Sequence, residues 1–190
     1  MEQKKENEWT KYICELLRKE LDTNKYEITC LERVPYRANI VGFDDNGKEK
    51  IEYMKYQTDL LIKEIVNNNS IPRLIIESKF GSITSHDAIT YSNKAQSHKE
   101  IYNGLRYGIM IAKVNKVPTR LIQHGNNFDF MFSFSSENPN SKEWNLFVEI
   151  IKKNLKIAKI YDEVMNERRK KNNTNFNCIE RDCIFHLKDN

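Results

Sequence analysis

Apolar residues near the start of the chain recur at helical spacing over 6–21. Trp9, Ile13, Leu16, Leu17 and Leu21 form one stripe, and Glu8, Lys11, Glu15, Arg18 and Lys19 fill the other side. Asn24 closes this helix. Tyr26, Ile28 and Cys30 then alternate with polar neighbours, which predicts a strand over 25–34. Asp44-Asp45-Asn46-Gly47 is a hairpin turn, because Asn-Gly tolerates the positive φ of tight turns; it joins 38–43 to 48–56, and the second arm runs on towards Asp59. Two more strands follow, at 56–62 and 72–80, separated by the turn Asn67-Asn68-Asn69-Ser70.

After a loop at 81–85, with Ser85 as the expected N-cap, a helix runs over about 86–104. Its apolar stripe is Ala88, Tyr91, Ala95, His98, Tyr102 and Leu105, and Ser92, Gln96, Lys99 and Asn103 make a polar one. His98 on the apolar stripe reads as a core histidine. The nearly all-apolar run 107–114 predicts a central buried strand, ended by Pro118. Another strand at about 128–134 follows the Gly125-Asn126-Asn127 turn, and 142–167 is a long final helix. Arg168-Arg169-Lys170-Lys171 ends it, where cations complement the helix dipole. Alternating strands and helices imply an α/β fold with a central mixed sheet flanked by helices.

Composition narrows the function classes. At 190 residues the chain fits one domain, 1–190, and no repeat or linker divides it. Nine Phe and nine Tyr supply a core although 31% of residues are charged. A net charge of +4 permits nucleic-acid binding without arguing for it. No stretch has the length of a membrane span and the N-terminus lacks a secretory signal, so a cytoplasmic protein is expected. Cys14 and Cys30 read as packed thiols rather than disulfide partners. Cys178, Cys183 and His186 lack the spacing and the fourth ligand of a zinc finger. No serine or cysteine sits in an elbow-like turn, and no Gly-rich phosphate loop is present, which excludes a nucleotide cofactor from the reading.

The chemistry concentrates in the strands 56–62 and 72–80. Alternation places Glu77 and Lys79 on one face, away from Leu74, Ile76 and Phe80, and strand pairing can bring Asp59 to the same face. Ile75 shares the face of Glu77, and Leu61 that of Asp59. Carboxylates beside apolar residues need a partner or a cation. Two carboxylates with a lysine at a sheet edge suit a hard divalent cation such as Mg²⁺. The competing reading is an ordinary solvated hairpin face, to which Lys63, Glu64 and Arg73 would belong.

In this order, a strand with Asp59, a hairpin, a strand ending Glu77-Ser78-Lys79, a helix with Gln96 and an apolar strand, the chain resembles the PD-(D/E)xK nuclease superfamily over roughly residues 56–114. Thr58 stands where the motif has its proline. The resemblance implies a restriction-endonuclease-like core and Mg²⁺, with Mn²⁺ substituting, held by Asp59, Glu77 and the backbone carbonyl of Ser78. It implies that Lys79 holds the attacking water or a phosphate oxygen, that Gln96 meets the scissile phosphate, and that the first helix adds an acid, Glu8 or else Glu15. Lys94, Lys99 and Arg106 would neutralise DNA phosphates, with the cluster 168–171 as a weaker alternative. The implied activity is a metal-dependent DNA endonuclease, a small type II restriction-like enzyme acting as a homodimer. The alternatives are a repair, junction-resolving or RNA nuclease of the same superfamily, or a non-catalytic binding protein with the nuclease fold.

Overall fold

The structure, a computed structural model, describes residues 2–169. Cys178, Cys183 and His186 lie outside the described residues. In chain order the elements are α1 (Glu2–Glu20), β1 (Tyr26–Cys30), β2 (Arg33–Phe43), β3 (Glu49–Gln57), β4 (Leu60–Val66) and β5 (Asn69–Phe80). Then come α2 (Ser85–Ile101), β6 (Arg106–Ala112), α3 (Thr119–His124), β7 (Phe130–Ser133) and α4 (Ser141–Arg169).

Five strands form a mixed sheet in the order β1-β4-β5-β6-β7. The first three are antiparallel neighbours, whereas β5, β6 and β7 run parallel, with α2 and α3 as the crossovers. Helices cover both faces, so the strands bury both sets of side chains, as parallel sheets must. On one face Leu60, Ile62, Leu74, Ile76 and Met110 pack with Ile13 and Leu17 of α1 and Phe147 and Ile151 of α4. On the other, Leu61, Ile75 and Tyr107 meet Ala95 and Leu105, while Ile109 and Ile111 meet Ala88 and Leu121. The fold is therefore α/β, with a mixed five-stranded sheet between helices.

Several sequence expectations need correction. The run 25–34 is two strands in two different sheets, broken at Leu31, whose φ is 59°. β2 and β3 form their own two-stranded antiparallel arm, longer than 38–43 with 48–56. The run 56–62 is interrupted, because Thr58 donates both its N–H and its Oγ1 hydrogen to the carbonyl of Glu32, each at 2.9 Å. Asp59 therefore sits just before β4 rather than within a strand. The link to β5 is only Asn67-Asn68, both at positive φ, so β5 starts at Asn69. Thr84, not Ser85, caps α2, through a reciprocal capping box with Asp87. Ser92, expected on a polar face, is buried and accepts from the Asn127 side chain at 3.1 Å. Helix α3 fills a segment where the sequence pattern predicts none. Cys14 and Cys30 are joined in a disulfide that ties α1 to β1, contrary to the expectation of separate thiols. No helix among the described residues is long and apolar enough to cross a membrane.

Glu64 and Arg73, which could have been a solvated hairpin face, are instead buried together. Arg73 Nε donates to Glu64 Oε2 at 2.9 Å, and Arg73 also bonds Tyr102 at 2.8 Å and Asp162 of α4. This cluster clamps β5 to both α2 and α4. Arg73→Met leaves buried Glu64 with only Lys159, at 4.0 Å, and is expected to cost ~3–5 kcal/mol in urea denaturation. The double change Arg73→Met/Glu64→Leu should recover much of that loss, because burying the pair is itself expensive.

Candidate active site

Antiparallel pairing of β4 and β5 sets Leu61 against Ile75 and Leu60 against Ile76. One step further along the same register, Asp59 stands opposite Glu77. Residues directly opposite in such a pair share a face, with Cβ atoms about 4.5–5.5 Å apart. The Ser78 amide fixes the arrangement by donating to Asp59 Oδ2 at 2.8 Å, beyond the last β4 pairing. Glu77 is fully buried, with the Asp59 carboxylate as its neighbour. Tyr107 on the neighbouring parallel strand donates its hydroxyl to Glu77 Oε1.

Like charges placed directly opposite destabilise a strand pair, and burial adds to the cost. Burial first, and then the Asp59 carboxylate, push Glu77 up to about 8 from an ordinary 4.5; Lys94 and the Tyr107 hydroxyl oppose the shift. The metal-free pair thus keeps a proton at neutral pH. Burial and then Glu77 also raise Tyr107 well above the ordinary tyrosine range, so it stays a donor.

Lys79 lies on the same face as Glu77, at the end of β5. Its Nζ is 3.8 Å from Glu6 Oε2 and 3.9 Å from Asp87 Oδ1, and it approaches the Tyr91 ring at 5.5 Å. Lys94, one helical turn beyond Tyr91 on α2, sits 4.0 Å from Glu77 Oε1 and 5.0 Å from the Tyr91 ring. Lys79, Lys94, Asp59 just before β4 and Glu77 on β5 therefore lie near the end of β5, between α1 and α2.

Of the α1 carboxylates, Glu6 reaches the end of β5, and Glu8 and Glu15 do not. Glu6 is buried and accepts from the Phe80 amide at 3.3 Å, while Glu8 and Glu15 are exposed and Glu15 pairs with Arg18. Thr10, one turn on, lies 2.6 Å from Ser78 through the two hydroxyls. The signal was in the sequence: Glu6 falls three and seven residues before Trp9 and Ile13, which places a charge on the buried stripe.

Other expected residues lie elsewhere. Gln96 is exposed and bonded to Glu100 at 3.0 Å. Lys99 and Arg106 are paired to Asp129 at 2.9 and 3.0 Å, and Asp129 also accepts from the Tyr107 amide at 2.6 Å. The cluster 168–171 falls at and beyond the end of the described residues.

Among the described residues no group of three or more His, Cys, Asp or Glu side chains is gathered to hold a metal ion alone. Mg²⁺ does not require one, since it is commonly held by one or two carboxylates and completes its shell with water and phosphate oxygens. The Asp59–Glu77 pair is a hard, all-oxygen donor set whose mutual repulsion a divalent cation would relieve, so the residues fit such an ion. A strand residue sends its N–H and C=O to the same side, so the Ser78 carbonyl faces the edge where its amide meets Asp59. Comparison of the chain with protein-family models, with curated proteins and with solved structures returns no match.

The raised Glu77 implies a pH dependence with a definite sign. Folding favours its protonated form, so this stabilisation is complete below about pH 4.5 and is lost as pH rises towards 8. In a chelating buffer, thermal midpoints of the wild type should fall across that window. Glu77→Gln should flatten the slope and melt higher than wild type at the alkaline end; parallel curves for both proteins would refute the shared-proton arrangement.

Proposed function

We propose that the protein is a metal-dependent nuclease of the PD-(D/E)xK superfamily that hydrolyses phosphodiester bonds in DNA. The observation that carries the reading is the cross-strand Asp59–Glu77 pair with Lys79 on the same face, assembled from separate strands. Two further features support it. The order α1, β1, β4, β5, α2, β6 around a mixed sheet is the arrangement expected of a restriction-endonuclease-like core, with β2–β3 inserted and β7 added. An acid from the first helix, Glu6, reaches the same strand end.

In this reading Asp59, Glu77 and the Ser78 carbonyl would hold Mg²⁺ or Mn²⁺, which when bound supplies Lewis-acid activation of water and neutralises charge building on phosphorus. The chain's own groups do the rest. Glu6 and Asp87 hold the Lys79 ammonium in place, from where it donates to the attacking water or a non-bridging phosphate oxygen. Tyr107 fixes the orientation of Glu77 through its hydroxyl. Lys94 replaces Gln96 as the α2 residue at the scissile phosphate, because it is the one that faces Glu77. Lys99 and Arg106 act mainly on Asp129 and hold the start of β6.

Incubation with supercoiled plasmid and Mg²⁺ or Mn²⁺, against an EDTA control, tests this directly. Asp59→Ala and Glu77→Ala should each reduce cleavage by ~10²-fold or more, the size expected when an electrostatic contact to the transition state is removed. Discrete bands would identify a type II restriction-like enzyme and a smear a nonspecific nuclease. Wild-type cleavage by purified Glu77→Ala would end the proposal.

Lys79 and Lys94 should separate in a second assay. Lys79→Ala should lose cleavage yet keep most Ca²⁺-supported DNA binding. Lys94→Ala should also weaken binding and lower the log–log salt slope by about one unit, whereas Lys99→Ala should leave that slope unchanged.

A further inference from the structure

The arm β2–β3 leaves the body of the protein as a two-stranded sheet of its own. Its base is well anchored: His98 of α2 is buried and its Nδ1 lies 2.9 Å from the Pro35 carbonyl oxygen, while Tyr36 and Tyr56 stack at 3.6 Å beside the His98 ring. The distal half has no such support. Ile40 and Phe43 are each 61% exposed, Ile51 54% and Tyr53 52%, all within the same stretch of paired strand. Among the described residues α2 packs on β2 and β3 packs chiefly on β2, so β3 forms the outer edge, with no described strand on its second side.

A two-stranded ribbon is marginal in water by itself, and an edge strand with exposed apolar side chains is a template for another strand. The charge pattern selects what covers it. Residues 44–52 carry four carboxylates, Asp44, Asp45, Glu49 and Glu52, against two lysines, Lys48 and Lys50. That balance repels a nucleic-acid backbone. Within β3, however, Lys50-Ile51-Glu52 is complementary to itself when two copies run antiparallel. With Ile51 on the two-fold axis, Lys50 of each copy faces Glu52 of the other, and Ile51 faces Ile51.

We propose that the β3 edge is a homodimer interface, at which two copies join their arms into one four-stranded antiparallel sheet centred on Ile51. The joined sheet has the strand number that a free-standing ribbon lacks. Each opposite-charge pair occurs twice because the interface is symmetric, so one substitution alters two contacts. The inference stands on the arm alone and does not depend on the nuclease reading.

Sedimentation velocity of the full chain across a concentration series, with circular dichroism as the check on folding, provides the test. Wild type should sediment as a dimer that dissociates on dilution. Ile51→Asp, which sets two carboxylates face to face on the axis, should sediment as a folded monomer. Lys50→Glu and Glu52→Lys should each raise the dimer dissociation constant about tenfold or more, by turning both pairs repulsive. Lys50→Glu/Glu52→Lys together should restore the wild-type constant, a recovery that general damage to the arm would not give. A wild type that stays monomeric at every concentration overturns the interface, as does a dimer indifferent to Ile51→Asp. Loss of DNA affinity in an Ile51→Asp protein that remains dimeric would also overturn it, by assigning the arm to nucleic acid. Sedimentation reads assembly and plasmid cleavage reads chemistry, so failure of either proposal leaves the other to its own assay.

Discussion

Everything at the candidate site follows from the pairing register of β4 and β5. Because Leu60 meets Ile76, the next residue towards the strand end must meet Glu77, and that residue is Asp59. The same register buries Leu60, Ile62, Leu74 and Ile76 against α1 and α4 while Leu61 and Ile75 go to the opposite face. A slip of one residue would send each set to the opposite face, against helices that present the wrong side chains to it. The hydrophobic pattern therefore enforces, at the cost of electrostatic repulsion, the juxtaposition of two carboxylates. The Ser78 amide is well placed to offset part of that cost, since it donates to Asp59 where no strand partner remains.

Several buried or half-buried cations are held by carboxylates from other parts of the chain. Arg73 is matched by Glu64 and Asp162, Lys63 by Glu32 at 2.7 Å and Glu27 at 3.4 Å, and Lys99 with Arg106 by Asp129. Each of these clusters joins elements distant in sequence, so their first effect is on architecture. Lys79 and Lys94 differ in having their acidic neighbours at 3.8–4.0 Å, at the outer limit of an ion pair. They retain capacity for a further anionic partner, which the tighter pairs do not.

The central strands and all the long helices were legible because each carries a strong period: Trp9, Ile13 and Leu17 in α1, Phe147, Ile151 and Leu155 in α4, and the apolar run in β6. Alternation places Glu77 and Lys79 on one face, and pairing of the two strands is what can bring Asp59 to it. What was not legible depended on tertiary partners. Leu31 adopts a left-handed backbone and Thr58 bonds across to Glu32, so two apparently continuous strands break. Polarity also misled in both directions. Ser92 and Glu6 are polar residues held inside by specific hydrogen bonds, whereas Gln96 sits on the correct helix but on its outer side. The sequence points Lys99 and Arg106 at DNA phosphates because Asp129, which pairs with both, lies far away in the chain and near only in space.

The site's parts also differ in how far the chain must travel to make them. The Ser78–Asp59 contact spans 19 residues through a hairpin with a two-residue turn, whereas Phe80–Glu6 spans 74. Loop-closure entropy grows with that separation, and local hairpins zip before distant elements dock. The carboxylate pair is therefore set by local closure, whereas Glu6, Asp87 and Lys94 reach it only from α1 and α2. Local opening of either helix would strip those neighbours from the two lysines while the Ser78–Asp59 contact stays in place.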